Sequence, residues 1–347
     1  MSDFADCIIS WQRRHGRHNL PWQNTRDPYR IWLSEIMLQQ TQVATVIPYY
    51  TRFVERFSEI NSLARAPLDD VLAAWSGLGY YSRAVNLQRA AQVIMHQHRG
   101  IFPRDYESIR ELPGIGRSTA AAICVFVYRQ KRAILDGNVK RVLARCFGIA
   151  GYPGEKSVQA QMWRKSEALL PRTSIASYTQ GLMDLGAMVC LRRKPKCLQC
   201  PLQRSCIAYR KARINCLPEP RPRKALPRRQ TVMLILLHKR EVLLQKRPPA
   251  GVWASMWSFP EMAPQDEVRV ACAQRFAARV RKAKWLPLME HGFSHFELQI
   301  RPVLLQVDSV TQHAAEPGQL WLNLDDAERA ALPAPVRKLL RQAAAYA

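Results

Sequence analysis

Acid is scarce in this chain. Against 52 Lys and Arg stand only 27 Asp and Glu, a formal net charge of +25 over 347 residues. That shortage says nothing about the fold but points to a polyanionic partner, because a surplus of this size attracts one over a long range. Long apolar runs are also missing. None approaches the length of a membrane span, although 48% hydrophobic residues suffice for two domains with cores of their own. The first residues, MSDFADCIIS, lack the basic-then-apolar order of a secretory signal. A soluble, cytosolic protein is expected, in which disulfides would not persist. There is no internal repeat, and up to Cys206 there is no strand-like alternation. Helical periodicity with short connections fills that region.

Within it, Leu112-Pro113-Gly114-Ile115-Gly116 precedes a small-residue helix pattern from Arg117 to about Arg129. Glycines at 114 and 116 allow a tight hairpin between helices, whose bare N–H groups then open the next helix and favour an anion. In so basic a chain the expected anion is a nucleic-acid phosphate. Twenty residues beyond Gly116, Asp136 stands before the periodic run Val139, Val142, Leu143, Cys146, where a helix N-cap belongs. A capping carboxylate accepts backbone N–H bonds and feels the positive helix end, so Asp136 is expected to stay ionised at neutral pH. A helix is predicted from Pro28 to about Pro48. On it Glu35 shares a face with Ile31, Trp32, Leu38 and Gln39, and burial there should raise its pKa as a general acid requires. The loop Ser76–Ser82 holds Tyr80 and Tyr81 between flexible glycines, an aromatic tip able to wedge into a base stack.

Of nine cysteines, four cluster: Cys190-x6-Cys197-x2-Cys200-x5-Cys206. Four thiolates so close suit a tetrahedral zinc or an iron–sulfur cluster. A second Cys-x2-Cys pair, the habit of zinc ribbons, is lacking. Residues 207–230 then read as a semi-extended basic linker, with one acidic residue among eight basic ones from Arg210 to Arg229. Beyond it the pattern turns to strands and helices. Strands are predicted at Thr231–Leu237, Glu241–Gln245, Trp285–Met289, Glu297–Gln306 and Gln319–Leu322. Helices are predicted at Asp266–Lys282 and Pro335–Ala344.

The hairpin followed by an aspartate at this spacing resembles the helix-hairpin-helix DNA glycosylases, and the cysteine spacing matches the cluster loop of their endonuclease III-like members. Leu20-Pro21-Trp22, the run Ser34–Val43, Gly77–Tyr81, Leu135–Val139 and Met183–Ala187 narrow the likeness to the adenine DNA glycosylase (MutY) family over essentially the whole chain. The resemblance implies a mainly α glycosylase domain with an iron–sulfur cluster loop at 1–206, the linker at 207–230, and an α+β Nudix-like domain at 231–347. It implies a monomer that acts on double-stranded DNA and removes adenine mispaired with 8-oxoguanine or guanine. Cys190, Cys197, Cys200 and Cys206 would ligate a 4Fe–4S cluster. Glu35 would protonate the adenine, while Asp136 would face the sugar cation or bond to it transiently. Tyr80, Gln39 and Gln40 would fill the gap left by the turned-out base, Trp22 and Gln180 would line the adenine pocket, and Gly114, Gly116 and Ser118 belong to the DNA-gripping hairpin. Phe293, Ser294 and His295 would read the lesion.

Two absences within this likeness carry weight. Glycosylases that also cleave the strand bear a Schiff-base lysine two residues past the second hairpin glycine. Here the residue is Ser118, which forms no imine, so base removal without strand cleavage is expected. A working Nudix hydrolase needs a glutamate-rich helix for Mg²⁺, and 267–282 offers only Glu267. One departure is Ser255, where relatives often carry a second glycine.

Overall fold

The computed structural model describes residues 2–222, 225–293, 295–308 and 318–346. It divides into two compact units. The first comprises Met1–Arg65 with Asn86–Arg223, and the second comprises Ala66–Val85 with Lys224–Ala347. A short piece of the helical region thus belongs with the C-terminal half.

The first unit opens with α1 (Ser2–His15), α2 (Pro28–Met37), α3 (Val43–Arg56) and α4 (Ile60–Arg65). The single helix expected from Pro28 to Pro48 is therefore two. After Met37 the chain tightens, with Gln39 N–H to the Ile36 carbonyl and Thr41 N–H to the Leu38 carbonyl, each at 3.3 Å. Gln40 then takes a left-handed φ of 57°. No glycine or proline marks this break; it is held from outside, by the Gln39 side chain. Pro48 lies inside α3 rather than at its end, and α4 had no counterpart in the prediction. The helix α5 (Leu68–Trp75) and the start of α6 (Ser82–Gln97) flank the Tyr80 loop and belong to the second unit, whereas the rest of α6 belongs to the first. Then come α7 (Tyr106–Glu111), α8 (Arg117–Tyr128), α9 (Gly137–Phe147), α10 (Lys156–Ala168) and α11 (Ile175–Met188). Ile8, Val125, Val139, Leu143, Leu182 and Leu185 meet in one core, where α1 packs along α11 and α11 along α9. The α9–α11 approach needs Gly186, since a Cβ there would lie 2.5 Å from that of Asn138.

The early part of the expected linker is not a tether. After α12 (Ile207–Arg210), Leu217 is 2% exposed and joins Cys206 and Ala208 in a small apolar cluster. Arg145 Nε donates to its carbonyl at 2.8 Å.

In the second unit, β1 (Arg228–His238), β2 (Glu241–Lys246), β3 (Trp257–Ser258), β4 (Glu261–Met262), α13 (Val268–Phe276), β5 (Val280–Trp285), β6 (Met289–Gly292), β7 (Glu297–Val307), β8 (Gln319–Asn323), α14 (Leu324–Ala327) and α15 (Ala334–Ala344) follow in order. The sheet runs β3-β2-β1-β7-β5, with β4 on β1, β6 on β7 and β8 on β2. Among the described residues only β1 and β7 are parallel, in register from Arg228↔Glu297 to Leu237↔Gln306. Val232, Leu234 and Leu236 of β1 share a core with Val303 and Leu305 of β7 and Cys272 of α13. The helix expected to reach Lys282 stops at Phe276. Ala277 turns left-handed (φ 48°), and Val280–Trp285 instead pairs with β7, tertiary pairing overriding the helix preference of an Ala/Arg/Lys stretch. The segment Ala66–Val85 is tied into this unit by side chains. Lys246 pairs with Asp69, Trp257 Nε1 donates to Asp69 at 3.3 Å, and Arg337 Nη2 donates to Ser76 Oγ at 2.9 Å. Ser76 Oγ in turn donates to the Leu332 carbonyl at 3.0 Å. Among the described residues, no helix is long and apolar enough to cross a membrane.

Candidate active site

A cavity of about 1140 Å³ in the first unit is lined by Trp22, Glu35, Gln39, Gln40, Gly116, Ser118, Asp136 and Gln180, among others. Eight positions singled out from sequence thus meet in one place. Glu35 gets there on α2, which starts cleanly because Asp27 caps it, accepting from Tyr29 N–H at 2.9 Å, and Pro28 suits its first turn. Ile31 and Trp32 are 4% and 0% exposed. Among the described residues no donor or base reaches the Glu35 carboxyl. Burial first, and the charge of Asp136 second, push its pKa up to about 8. It holds its proton at neutral pH.

Asp136 caps α9 as expected, accepting from Val139 N–H at 2.8 Å and Asn138 Nδ2 at 3.2 Å. The expectation that the cap keeps its pKa low fails. Burial raises it and outweighs the opposing pull of those hydrogen bonds and of Arg141. Both carboxylates are therefore raised, not pushed apart. They still differ in kind: Asp136 has donors and a cation that favour its anion, and Glu35 has none. Of one proton shared between them, Glu35 is the holder.

Sequence reasoning missed the residues that hold this pair. Arg141 Nη2 donates to Asn138 Oδ1 at 2.8 Å and to the Gly186 carbonyl at 2.6 Å, fixing the Asn138 amide that bonds Asp136. Asn138 stood in the noted motif, but only the fold brings Arg141 against Gly186. Gln180 Nε2 donates to Asp184 at 2.9 Å, and Asp184, fully buried, is gripped by Arg17 through its backbone N–H (2.8 Å), Nε (2.7 Å) and Nη2 (2.5 Å). The acid in Met183–Ala187 was the available signal; its partner lies too far away in sequence to be seen.

The hairpin behaves unequally. Gly114 is left-handed (φ 80°), and a Cβ there would meet that of Asn86 at 2.9 Å. Gly116 is extended (φ −93°) with open space around it, so its conformation does not demand glycine. As the N-cap of α8 it makes no side-chain cap, leaving the helix N–H groups bare. Ser118 Oγ accepts from Leu135 N–H at 3.0 Å, pinning the approach to Asp136. Gln39 Nε2 donates to the Gly114 carbonyl and to Thr119 Oγ1, each at 3.3 Å. Trp22, 8% exposed, stands edge-on to Tyr50 at 5.2 Å.

Tyr80, Phe293 and His295 belong to the second unit. Tyr80 is left-handed (φ 50°) and 51% exposed. Beneath it Arg83, another residue missed, donates to the carbonyls of Leu78 and Gly79 and lies 5.4 Å from the rings of both Tyr80 and Trp75. Burial brings the Arg83 guanidinium down to about 10. Phe293 stacks on Phe296 (4.5 Å, 16°) between β6 and β7, and the Trp253 ring lies 5.6 Å away. Ser294 lies outside the described residues. Ser255 has φ 61°, the conformation a glycine would supply.

Of the four clustered cysteines, Cys190 and Cys206 touch Arg145, which is 3% exposed, donates from Nη1 to Cys190 Sγ at 3.4 Å and accepts at its carbonyl from Cys206 Sγ at 3.4 Å. Among the described residues no three His, Cys, Asp or Glu close around a point as a single ion requires. Yet the thiols act on one another. Burial pushes Cys200 up to about 12, with Cys190, Cys206 and Cys197 adding to it. Cysteine thiols close enough to raise one another suit an iron–sulfur cluster, whose ligands are thiolates.

A family model for the HhH-GPD superfamily of base excision DNA repair proteins matches residues 33–168, and a NUDIX-domain model matches 231–342. A thermostable thymine-DNA glycosylase is 31% identical, with a TM-score of 0.55, over 60% of this chain and 95% of its own. A trapped endonuclease III–DNA covalent intermediate, at 20% identity and a TM-score of 0.52, shares the fold over 60% of this chain and 94% of its own. Fold and site together define a DNA glycosylase of the helix-hairpin-helix class carrying a NUDIX domain. Along nearly its full length the chain is also similar to adenine DNA glycosylases. Identity is 38% with that of Buchnera aphidicola subsp. Baizongia pistaciae, covering 97% of this chain and 95% of the relative, and 32% with that of Mus musculus, covering 97% and 77%. The chain belongs to the adenine DNA glycosylase family.

Proposed function

We propose that this chain excises adenine mispaired with 8-oxoguanine or guanine in DNA, as a monomeric cytosolic enzyme that leaves the strand intact. One observation carries the reading: a neutral Glu35 and the hydrogen-bonded Asp136 line one cavity with room for a base turned out of the duplex. The Glu35 proton passes to a ring nitrogen of the adenine, and the bond to C1′ breaks with its electron pair leaving on the base. Ionised Asp136 faces the resulting sugar cation, or bonds to it transiently, until water adds at C1′ and returns a proton to Glu35. Asn138 and Arg141 keep Asp136 aimed. Ser118 spends its hydroxyl on Leu135 and has no amine, so no imine forms and no strand break follows. Cys190, Cys197, Cys200 and Cys206 would hold a 4Fe–4S cluster, which when bound staples a loop rich in Arg192, Arg193, Lys194 and Lys196 for docking on DNA. Tyr80 fills the gap in the stack, and Phe293, Ser294 and His295 read the opposite base.

The purified protein is tested under single-turnover conditions on duplexes bearing A:8-oxoguanine, A:G and thymine glycol. Adenine release from the first two is expected, with strand breaks only after alkali and little borohydride trapping. Thymine-glycol excision with immediate scission would replace this reading with a pyrimidine-lesion lyase.

A further inference from the structure

Apart from the catalytic cavity, a recess of about 340 Å³ in the first unit is lined by Arg26, Arg104, Tyr128, Arg129 and Gln130, with Val127 at its back. Three arginines line it and no carboxylate does. Among the described residues neither Arg26 nor Arg129 has an ion-pair partner, and Arg104 lies 5.6 Å over the Tyr128 ring. The frame around them is fixed. Tyr128 OH donates to the Pro103 carbonyl at 3.1 Å and Gln130 Nε2 to the Arg104 carbonyl at 2.9 Å, tying the segment before α7 to the end of α8.

Arg129 occupies the C-cap of α8 with φ 57°; its N–H reaches the Val125 carbonyl, and that of Gln130 the Cys124 carbonyl, each at 3.1 Å. Glycine is the usual occupant of such a cap. An arginine here accepts a strained backbone and gains only its guanidinium. Partial burial, and then the charge of Arg26, disfavour that guanidinium's charged form, so the recess is a like-charge cluster that an anion would relieve. Arg129 lines this recess and the catalytic cavity alike.

We propose that Arg26, Arg104 and Arg129 form a phosphate-binding site, whose ligand is the DNA phosphodiester beside the nucleotide turned into the cavity. Planar guanidinium forks match phosphate oxygens in pairs, and Arg129 places the site at the cavity's edge. The choice of DNA as the phosphate's source rests on the proposed function; the phosphate chemistry does not.

The test is binding of the full-length protein to a fully matched duplex across a salt series, where no base is removed and the glycosylase reading plays no part. The variants are Arg26→Ala, Arg129→Gly, their double, Arg26→Lys, and Arg341→Ala as a control, an arginine already paired with Glu328 in the second unit. Glycine relieves the left-handed cap, and Arg26 is exposed, so neither change threatens folding. The slope of log affinity against log salt should fall by about one for each guanidinium–phosphate pair removed. The double variant should bind roughly ten-fold more weakly near 0.1 M salt, with Arg26→Lys keeping the slope and Arg341→Ala matching wild type. In parallel, millimolar inorganic phosphate should raise the Tm of wild type more than that of the double variant. An unchanged slope with that phosphate shift intact overturns DNA as the source. An unchanged slope with no differential shift overturns the site.

Discussion

In the helical unit two carboxylates are drawn into one cavity and burial raises both. In the sheet unit the helix beside the sheet, α13, reads VRVACAQRF and carries no carboxylate at all. The first arrangement buries two titratable groups at the wall of one cavity; the second keeps a NUDIX scaffold whose helix α13 offers no carboxylate for Mg²⁺. On the proposed function, the two units separate cutting from reading. Chemistry needs titratable groups under strain from their surroundings, whereas recognition needs ring faces such as Phe293, Phe296 and Trp253 on a firm sheet edge.

The sharpest way to break that comparison is Glu35→Gln. The amide donates no catalytic proton, and single-turnover adenine release should fall by at least ~10²–10⁴-fold with DNA binding kept. In wild type the rate should drop as pH rises through about 8, where Glu35 loses its proton. On the acid side it should fall at pH values above the ordinary aspartate range, because Asp136 must ionise and its pKa is raised. Stability too falls as pH rises. The native state keeps a Glu35 proton that the unfolded chain releases from pH 4.5 upward, so stability declines between 4.5 and about 8. At about 1.4 kcal/mol per pH unit, Glu35→Gln should therefore stabilise the protein at pH 7 by up to ~3 kcal/mol, and hardly at all at pH 4.5. Denaturant midpoints at the two pH values check the sign; equal midpoints for variant and wild type at pH 7 would show that Glu35 is not buried against its charge.

The second effect lies on the reading side. Removing Phe293 and His295 together should leave excision from A:G near wild type while the advantage of A:8-oxoguanine shrinks about ten-fold, within the roughly 1–3 kcal/mol of a good base contact. Single-turnover rates on both duplexes at one salt concentration measure it. Undiminished preference would move lesion reading into the helical unit. Truncation after Arg223 is a blunter tool, because it also removes Lys246, Trp257, Leu332 and Arg337, to which Asp69 and Ser76 are bonded.

The smallest effect sharpens the comparison at a single turn. Ser255 holds a left-handed φ of 61° that glycine adopts freely. Ser255→Gly should stabilise the second unit by about 0.5–1 kcal/mol, the relief of the Cβ clash being partly offset by a freer unfolded chain. Thermal unfolding of the second unit checks it, and a lowered Tm would show that the serine hydroxyl carries the turn instead.

Much of the site was legible from local pattern. Glu35 announced itself through apolar neighbours at helical spacing, Asp136 through its cap, and the hairpin through Gly114. What was not legible depends on partners distant in sequence. The break at residues 38–42 has no local breaker and is held by Gln39 reaching Gly114 and Thr119. The raised pKa of Asp136 reflects how deeply α9 is packed, which a cap motif does not record. The strand Val280–Trp285 looks helical by composition and is made a strand by β7. Arg141, Arg83 and the Arg17–Asp184 pair look like ordinary surface charges until the fold supplies their carbonyls and carboxylates.

The placement of Ala66–Val85 in the second unit also sets an order of events at the ribosome. That segment emerges early, whereas Lys246, Trp257, Leu332 and Arg337 emerge only after the whole of Asn86–Arg223 has been made. During synthesis Asp69 and Ser76 are therefore made long before the groups that bond them. Closing so long a loop is entropically unfavourable and slow, so the second unit completes last. The Tyr80 loop, which lies within the waiting segment, gains its final setting only when the chain is whole. An unfinished or C-terminally nicked chain would thus hold the residues around Glu35 and Asp136 but lack the partners of Asp69 and Ser76, so that on the proposed function the means to cut would be acquired before the means to aim.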